Sequence, residues 1–187
     1  MPTYDVVMGQ AVAVRDLEGN ALSTGYGETR NLLSSCSAII LINEDWSMAG
    51  LYHYPAGDIT KRPWAQALLQ DMAAYVQPTA CHVAYGTSDQ FGFTGDLEAE
   101  IGDADHPALM GFLRTLRIGM GLTASPAGSG CASVTMTNGL FEISDKRLSL
   151  TGIVKLDTYH SGVHPFGRTF GPGYVRPAPR RNRCVIL

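Results

Sequence analysis

The chain has 187 residues, of which 45% are hydrophobic and 17% charged, and it carries a net charge of −3. This composition is typical of one soluble globular domain and excludes a disordered chain. No apolar run reaches the roughly 18 residues of a membrane-spanning helix. Residues 1–10 (MPTYDVVMGQ) lack the basic and apolar regions of a secretory signal peptide, so we expect no export by that route. The acidic body with one short arginine-rich tail at 168–187 does not favour nucleic-acid binding.

The cysteines and histidines show no pattern typical of a metal site. The four cysteines form no CxxC pair and no zinc spacing, and they are Cys36, Cys81, Cys131 and Cys184. His160 and His164 are four residues apart, but a glycine and a proline nearby disfavour the helix that would bring them together. We therefore expect no metal and no disulfide scaffold, and a reduced environment that keeps Cys36 a free thiol.

Hydrophobic periodicity predicts alternating strands and helices along the chain. Strands are predicted at 6–8, 11–14, 38–42, 48–54, 81–85 and 148–156, and a hairpin at 132–143 around Asn138-Gly139. One helix is predicted to begin at Pro63 and to end before Pro78, and a second begins near Pro107. These elements predict an α+β (mixed α/β) fold of packed, largely antiparallel β-sheets flanked by two main helices.

The segment from 32 to 55 contains the candidate catalytic residues. Its strands at 38–42 and 48–54 predict a hairpin, and a two-residue Glu44-Asp45 loop would place Cys36 directly opposite His53. Opposed residues of an antiparallel pair share a face, with Cβ atoms about 4.5–5.5 Å apart. A thiol and an imidazole at that distance can act as nucleophile and base. A register slip of one residue would separate them onto opposite faces, and both residue types are also common in cores.

The same segment resembles a known family. The matching residues are Leu33-Ser34-Ser35-Cys36, then Met48-Ala49-Gly50-Leu51-Tyr52-His53 and Pro55, with the histidine seventeen positions after the cysteine. This pattern resembles the CheD family of chemoreceptor glutamine deamidases, whose catalytic fold is shared with the deamidase domains of cytotoxic necrotizing factor and related bacterial toxins. The order of elements extends the resemblance over roughly 6–156, although only the hairpin motif is specific.

The resemblance implies a nucleophile at Cys36, a base at His53 and no cofactor. The threonine with which CheD orients its histidine corresponds here to Arg30, so neighbouring Thr29 is the candidate for that role, and a backbone carbonyl is the alternative. Backbone N–H groups of the loop containing Ser34 and Ser35 are the candidates for stabilising an oxyanion.

The remaining residues, 157–187, are predicted to form a Gly/Pro-rich basic tail after a deamidase domain at 1–156. The tail ends in Cys184-Val185-Ile186-Leu187, which matches a prenylation box with arginines directly upstream. A lipid chain and a basic patch together favour attachment to a membrane surface. Because bacteria do not prenylate proteins in this way, the two motifs together predict a virulence effector or toxin. Such a protein would be secreted or injected into a host cell and modified at Cys184 by a host prenyltransferase.

The sequence thus predicts a cysteine-dependent protein glutamine deamidase that converts Gln to Glu in a host protein near a membrane. A small GTPase is one candidate substrate by analogy with the toxins. Two alternatives remain, a Cys–His protease or transglutaminase, and a non-catalytic prenylated adaptor.

Overall fold

A computed structural model describes residues 3–24, 33, 36–55, 58–86, 107–116, 121–127, 130–144, 153–155, 162–164 and 167–177. Within these ranges the chain has an α+β fold, with two mixed β-sheets and three helices. The predicted fold class is therefore confirmed. No helix among the described residues is long and apolar enough to cross a membrane.

The larger sheet has seven strands. In spatial order they are β11 (Gly162–His164), β12 (Gly167–Phe170), β2 (Ala11–Val14), β5 (Met48–Tyr54), β4 (Ser37–Asn43), β6 (Ala80–Gly86) and β7 (Gly121–Ala127). All neighbours pair antiparallel except β6 and β7. Strands β4 and β5 lie at the centre, where their apolar side chains are covered on both faces.

The smaller sheet has five strands. In spatial order they are β10 (Ile153–Lys155), β1 (Thr3–Asp5), β3 (Ala21–Ser23), β8 (Ser133–Thr137) and β9 (Leu140–Ser144). The β8–β9 hairpin turns at Asn138 and Gly139, whose φ angles of 53° and 78° are those of the predicted two-residue turn. The carboxylate of Glu18 accepts hydrogen bonds from both turn N–H groups.

The three helices are α1 (Asp58–Lys61), α2 (Pro63–Val76) and α3 (residues 107–115). Helix α2 begins at Pro63 as predicted, and Gln77 ends it in the left-handed conformation. Its buried side chains Leu68 and Met72 pack with Leu109 and Leu113 of α3 against one face of the seven-stranded sheet.

Each face of the seven-stranded sheet therefore borders its own core. The inter-sheet core is formed with the five-stranded sheet by residues such as Val6, Val12, Ile40 and Leu51. The helix-side core is formed with α2 and α3. Alternation along the strands decides which core each side chain enters.

Two predictions about chain segments are corrected. The first strand is Thr3–Asp5 rather than 6–8, because residues 7–10 form a turn with Gly9 at φ 81°. The tail assigned to 157–187 is not an extended arm over its described part, because β12 pairs with β2 in the sheet. Tyr174 and Arg176 bond Asp71 of α2, so the packed domain extends past residue 156.

Gly167 tests whether the C-terminal segment belongs to the domain. A Cβ at this position would overlap the carbonyl oxygen of Ala13 in the paired strand. We expect Gly167→Ala to lower the free energy of unfolding by about 3 kcal/mol in urea denaturation. The overlapping atom belongs to the Ala13 backbone, which cannot move aside as a flexible side chain can.

Gly111 provides the matched control. It is a helical glycine with open space around its Cα, so Gly111→Ala should raise the free energy of unfolding by about 0.5–1 kcal/mol. Equal stabilities for the two variants would contradict the placement of β12 against β2.

Candidate active site

The β4–β5 hairpin brings Cys36 and His53 to one face of the sheet, but not in the predicted register. Ala38, not Cys36, lies opposite His53, and Asn43 pairs with Met48. The prediction that Cys36 and His53 are directly opposed is therefore wrong. The register differs by two residues, which preserves the face. Cys36 and His53 are diagonal neighbours, whose Cα atoms lie about 7–8 Å apart in antiparallel pairs.

The difference arises in the loop, which has four residues (44–47) rather than two. The Asn43 side chain donates to the carbonyls of Val76 and Gln77 at the end of α2, and its oxygen accepts from Trp46 N–H. Ser47 then adopts φ 52° to return the chain to the strand. The residues near the loop do not predict this contact with α2, because the end of α2 lies more than thirty residues later in the chain.

His53 is 0% exposed and is held by a contact with the chain leaving the five-stranded sheet. Its Nδ1 lies 3.2 Å from the carbonyl oxygen of Val6, just after β1. A carbonyl oxygen can only accept, so Nδ1 must carry the proton. In the neutral ring the lone pair is then on Nε2. This buried atom has no hydrogen-bond partner among the described residues.

Burial keeps the His53 ring neutral. It lowers the pKa of His53 to about 4, although the hydrogen bond to Val6 acts in the opposite direction. At neutral pH the side chain is therefore an acceptor at Nε2, which is the protonation state that a general base requires.

Cys36 lies immediately before β4 and is 6% exposed. Its carbonyl oxygen accepts a hydrogen bond from Gly86 N–H at 3.0 Å, which fixes the backbone against β6. The side chain belongs to the inter-sheet core, on the same face as Ala38 and Ile40. Among the described residues, Cys36, Cys81 and Cys131 are not in disulfide bonds.

Gln10 is a buried neighbour of His53 that the sequence patterns did not single out. Gly9 N–H donates to His53 C=O at 2.8 Å, and His53 N–H donates to Gln10 C=O at 3.0 Å. Gly9 and Gln10 are thus both paired with His53, which makes a β-bulge whose first residue, Gly9, is a glycine with positive φ. Gln10 is 0% exposed, and neither amide atom of its side chain has a hydrogen-bond partner among the described residues. The sequence signal that was available is a glycine followed by a polar residue directly before the apolar strand β2.

The other central residues have structural roles. His82 bonds Thr123 Oγ1 at 2.8 Å and Ser125 Oγ at 3.0 Å, so both ring nitrogens are satisfied. Cys81 belongs to the helix-side core, where burial raises its pKa to about 12 and keeps it protonated.

Four predicted functional residues lie outside the described ranges, namely Thr29, Ser34, Ser35 and Cys184. Their roles stay predictions. The Val6 carbonyl, the kind of group left open as an alternative to Thr29, does contact Nδ1 of His53. Within the described part of the chain, no group of three or more His, Cys, Asp or Glu side chains is arranged to hold a metal ion.

Comparisons of the chain with protein-family models, with curated proteins and with solved structures found no match. What indicates a function is therefore the geometry around Cys36 and His53, together with the sequence pattern that contains them.

The buried, neutral His53 predicts a specific loss of stability in acid. Its pKa is about 4 in the folded protein and about 6.5 in the unfolded chain, so the unfolded state binds the proton first as pH falls. The stabilising contribution is complete above pH 6.5 and is lost between pH 6.5 and 4. At about 1.4 kcal/mol per pKa unit, the loss is about 3 kcal/mol.

Urea denaturation from pH 7 to pH 4 should show this loss in the native protein and not in His53→Leu. His82, whose pKa is also lowered by burial, contributes equally to both proteins and cancels in the difference. Parallel stability curves for the two proteins would contradict a neutral, buried His53.

Proposed function

We propose that the protein is a cysteine-dependent hydrolase that deamidates glutamine side chains of a protein substrate. The observation that carries the proposal is the state of His53, which lies on the same face of the sheet as Cys36. Its Nδ1 is bonded to the Val6 carbonyl, and its Nε2 has no hydrogen-bond partner among the residues that the structure describes. The resemblance of the Cys36–His53 segment to CheD and the toxin deamidases supports the choice of a carboxamide as substrate.

In the proposed reaction, His53 Nε2 accepts the thiol proton as Cys36 Sγ attacks the carboxamide carbon. The new S–C bond converts the carbonyl to an oxyanion, for which backbone N–H groups near Ser34 and Ser35 are candidate donors. The C–N bond then breaks, and His53 returns the proton so that ammonia leaves. Water, deprotonated by His53, hydrolyses the thioester to glutamate and regenerates the thiol.

The hydrogen bond to Val6 has a defined role in this cycle. While Nδ1–H points at a fixed carbonyl, the ring cannot flip or exchange tautomers, so Nε2 stays directed to the reacting side. When Nε2 accepts a proton, the imidazolium gains a stronger, charge-assisted bond to the same carbonyl. That gain offsets part of the desolvation that lowers the pKa of His53 in the resting protein.

A second candidate function is a non-catalytic adaptor in which Cys36 and His53 are core residues. The observation that favours it is burial, since both side chains are at most 6% exposed. The two candidates differ in the chemistry of the thiol, which is directly measurable.

Alkylation by iodoacetamide, followed by peptide mass spectrometry, separates the two candidates. In a deamidase, Cys36 should be alkylated faster than the other cysteines. His53→Leu should lower the alkylation rate of Cys36 by about 100-fold or more, because the base is lost. Cys81, with its raised pKa, is the internal control. Alkylation of Cys36 no faster than that of Cys131, with no dependence on His53, would instead support the adaptor.

A candidate protein substrate provides the second measurement. Incubation should release ammonia and give a substrate with the small mass gain of a carboxamide converted to a carboxylate. Cys36→Ser should lower the rate by about 1,000-fold or more, because the alcohol is a far weaker nucleophile beside a base of low pKa. Cleavage of the substrate backbone would identify a protease instead.

A further inference from the structure

The side chain of Gln10 points into the same core as His53. Along β2, Val12 and Val14 enter the inter-sheet core, whereas Ala11 and Ala13 enter the helix-side core. Gln10 continues the alternation on the inter-sheet side. Along β5, Ala49 and Leu51 enter the same core, and His53 follows them. The backbone bonds of the bulge place Gln10 beside His53, while Cys36 is diagonal to it on the other side.

An amide buried without partners is costly and therefore uncommon. Each unpaired buried donor or acceptor has lost its hydrogen bonds to water without replacement, and native proteins retain few of them. Within the described part of the chain, neither the N–H₂ donor nor the C=O acceptor of Gln10 has a partner, and neither does Nε2 of the neighbouring His53. These atoms belong to two residues that are neighbours across β2 and β5, which points to a ligand with complementary hydrogen-bonding groups.

We propose that Gln10 recognises the primary carboxamide of the substrate by a reciprocal pair of hydrogen bonds, an inference that rests on the proposed deamidase function. Gln10 Nε2–H donates to the substrate carbonyl oxygen, and Gln10 Oε1 accepts from the substrate N–H that lies on the same side as that oxygen. Both bonds lie in the plane of the carboxamide. The faces of the carboxamide therefore remain accessible to Cys36 Sγ.

This pairing selects one substrate class. A primary carboxamide always has one N–H on the same side as its C=O, whereas the N–H of a trans peptide bond points to the opposite side. A peptide bond therefore cannot form both bonds with Gln10. The product carboxylate has no N–H and would place an oxygen against Gln10 Oε1, so it should bind weakly. Sites built around hydrogen bonds reject analogues that lack the matching group more strongly than apolar sites do.

The experiment compares two alkylating probes that differ in this group, iodoacetamide and N-methyliodoacetamide. Both form an Sγ–C bond at Cys36 and release iodide, and the thiol proton passes to His53. The intrinsic reactivity of each probe is measured by its rate of reaction with glutathione, and the ratio of these two rates is the glutathione ratio. In the full-length protein, Cys36 should prefer iodoacetamide over its N-methyl analogue by about tenfold or more beyond the glutathione ratio.

The preference should fall to the glutathione ratio in Gln10→Met, which keeps the length of the side chain and removes both polar groups. Gln10→Glu, which keeps the shape but cannot donate when ionised, should lose it as well. Gln70→Met, at an exposed position on α2, is the matched control and should keep the native preference. The melting temperature of Gln10→Met should be unchanged or higher, because unpaired polar atoms are removed from the core.

If the alkylation of Cys36 is fast and depends on His53, two results would overturn the role of Gln10. One is that Gln10→Met retains the preference for iodoacetamide, and the other is that the native protein lacks it. Slow alkylation of Cys36 that is independent of His53 would overturn the deamidase function, and the role of Gln10 with it. A large loss of stability in Gln10→Met would also contradict the proposal, because it would mean that the amide is paired within the folded protein.

Discussion

The hydrogen bond from His53 Nδ1 to the Val6 carbonyl links the two sheets at the point where the candidate chemistry lies. His53 belongs to β5 of the seven-stranded sheet, and Val6 directly follows β1 of the five-stranded sheet. The bond fixes the tautomer of the ring and leaves Nε2 as the acceptor. Without it, nothing described in the structure would determine which ring nitrogen carries the proton.

The chain segment from Val6 to Gln10 provides both polar partners of this arrangement. It leaves the five-stranded sheet after β1, turns at Gly9 with φ 81°, and enters the seven-stranded sheet at β2. The turn is closed by Gln10 N–H donating to the Val7 carbonyl at 3.0 Å. One sheet-to-sheet crossing therefore brings a carbonyl to Nδ1 of His53 and an amide side chain next to the same residue. Bulges and glycines with positive φ are common beside functional sites because they redirect side chains in this way.

The sequence was informative wherever local patterns decide structure. The α+β class, helix α2 from Pro63 and the Asn138-Gly139 hairpin all follow from periodicity and turn chemistry, and all are present. The shared face of Cys36 and His53 also follows from strand alternation and is independent of a shift of two residues.

Features that depend on contacts distant in sequence were missed. The hairpin register is set by the bonds of Asn43 to the end of α2, and the pairing of β12 with β2 joins residues more than 150 positions apart. Val6 contributes only its backbone carbonyl, which no side-chain pattern identifies. The Gly9-Gln10 pair before β2 is visible in the sequence, but its position beside His53 follows only from the pairing of β2 with β5.

The chemistry proposed at Cys36 requires His53 to be a neutral imidazole protonated at Nδ1, with an available lone pair at Nε2. Nitrogen NMR of the protein labelled with ¹⁵N-histidine at neutral pH tests it directly, with His53→Leu to assign the signals. We predict a protonated Nδ1 and an unprotonated Nε2 for His53, unchanged as the pH is lowered from 7 to 5. A proton on Nε2, or a doubly protonated ring within that range, would contradict it.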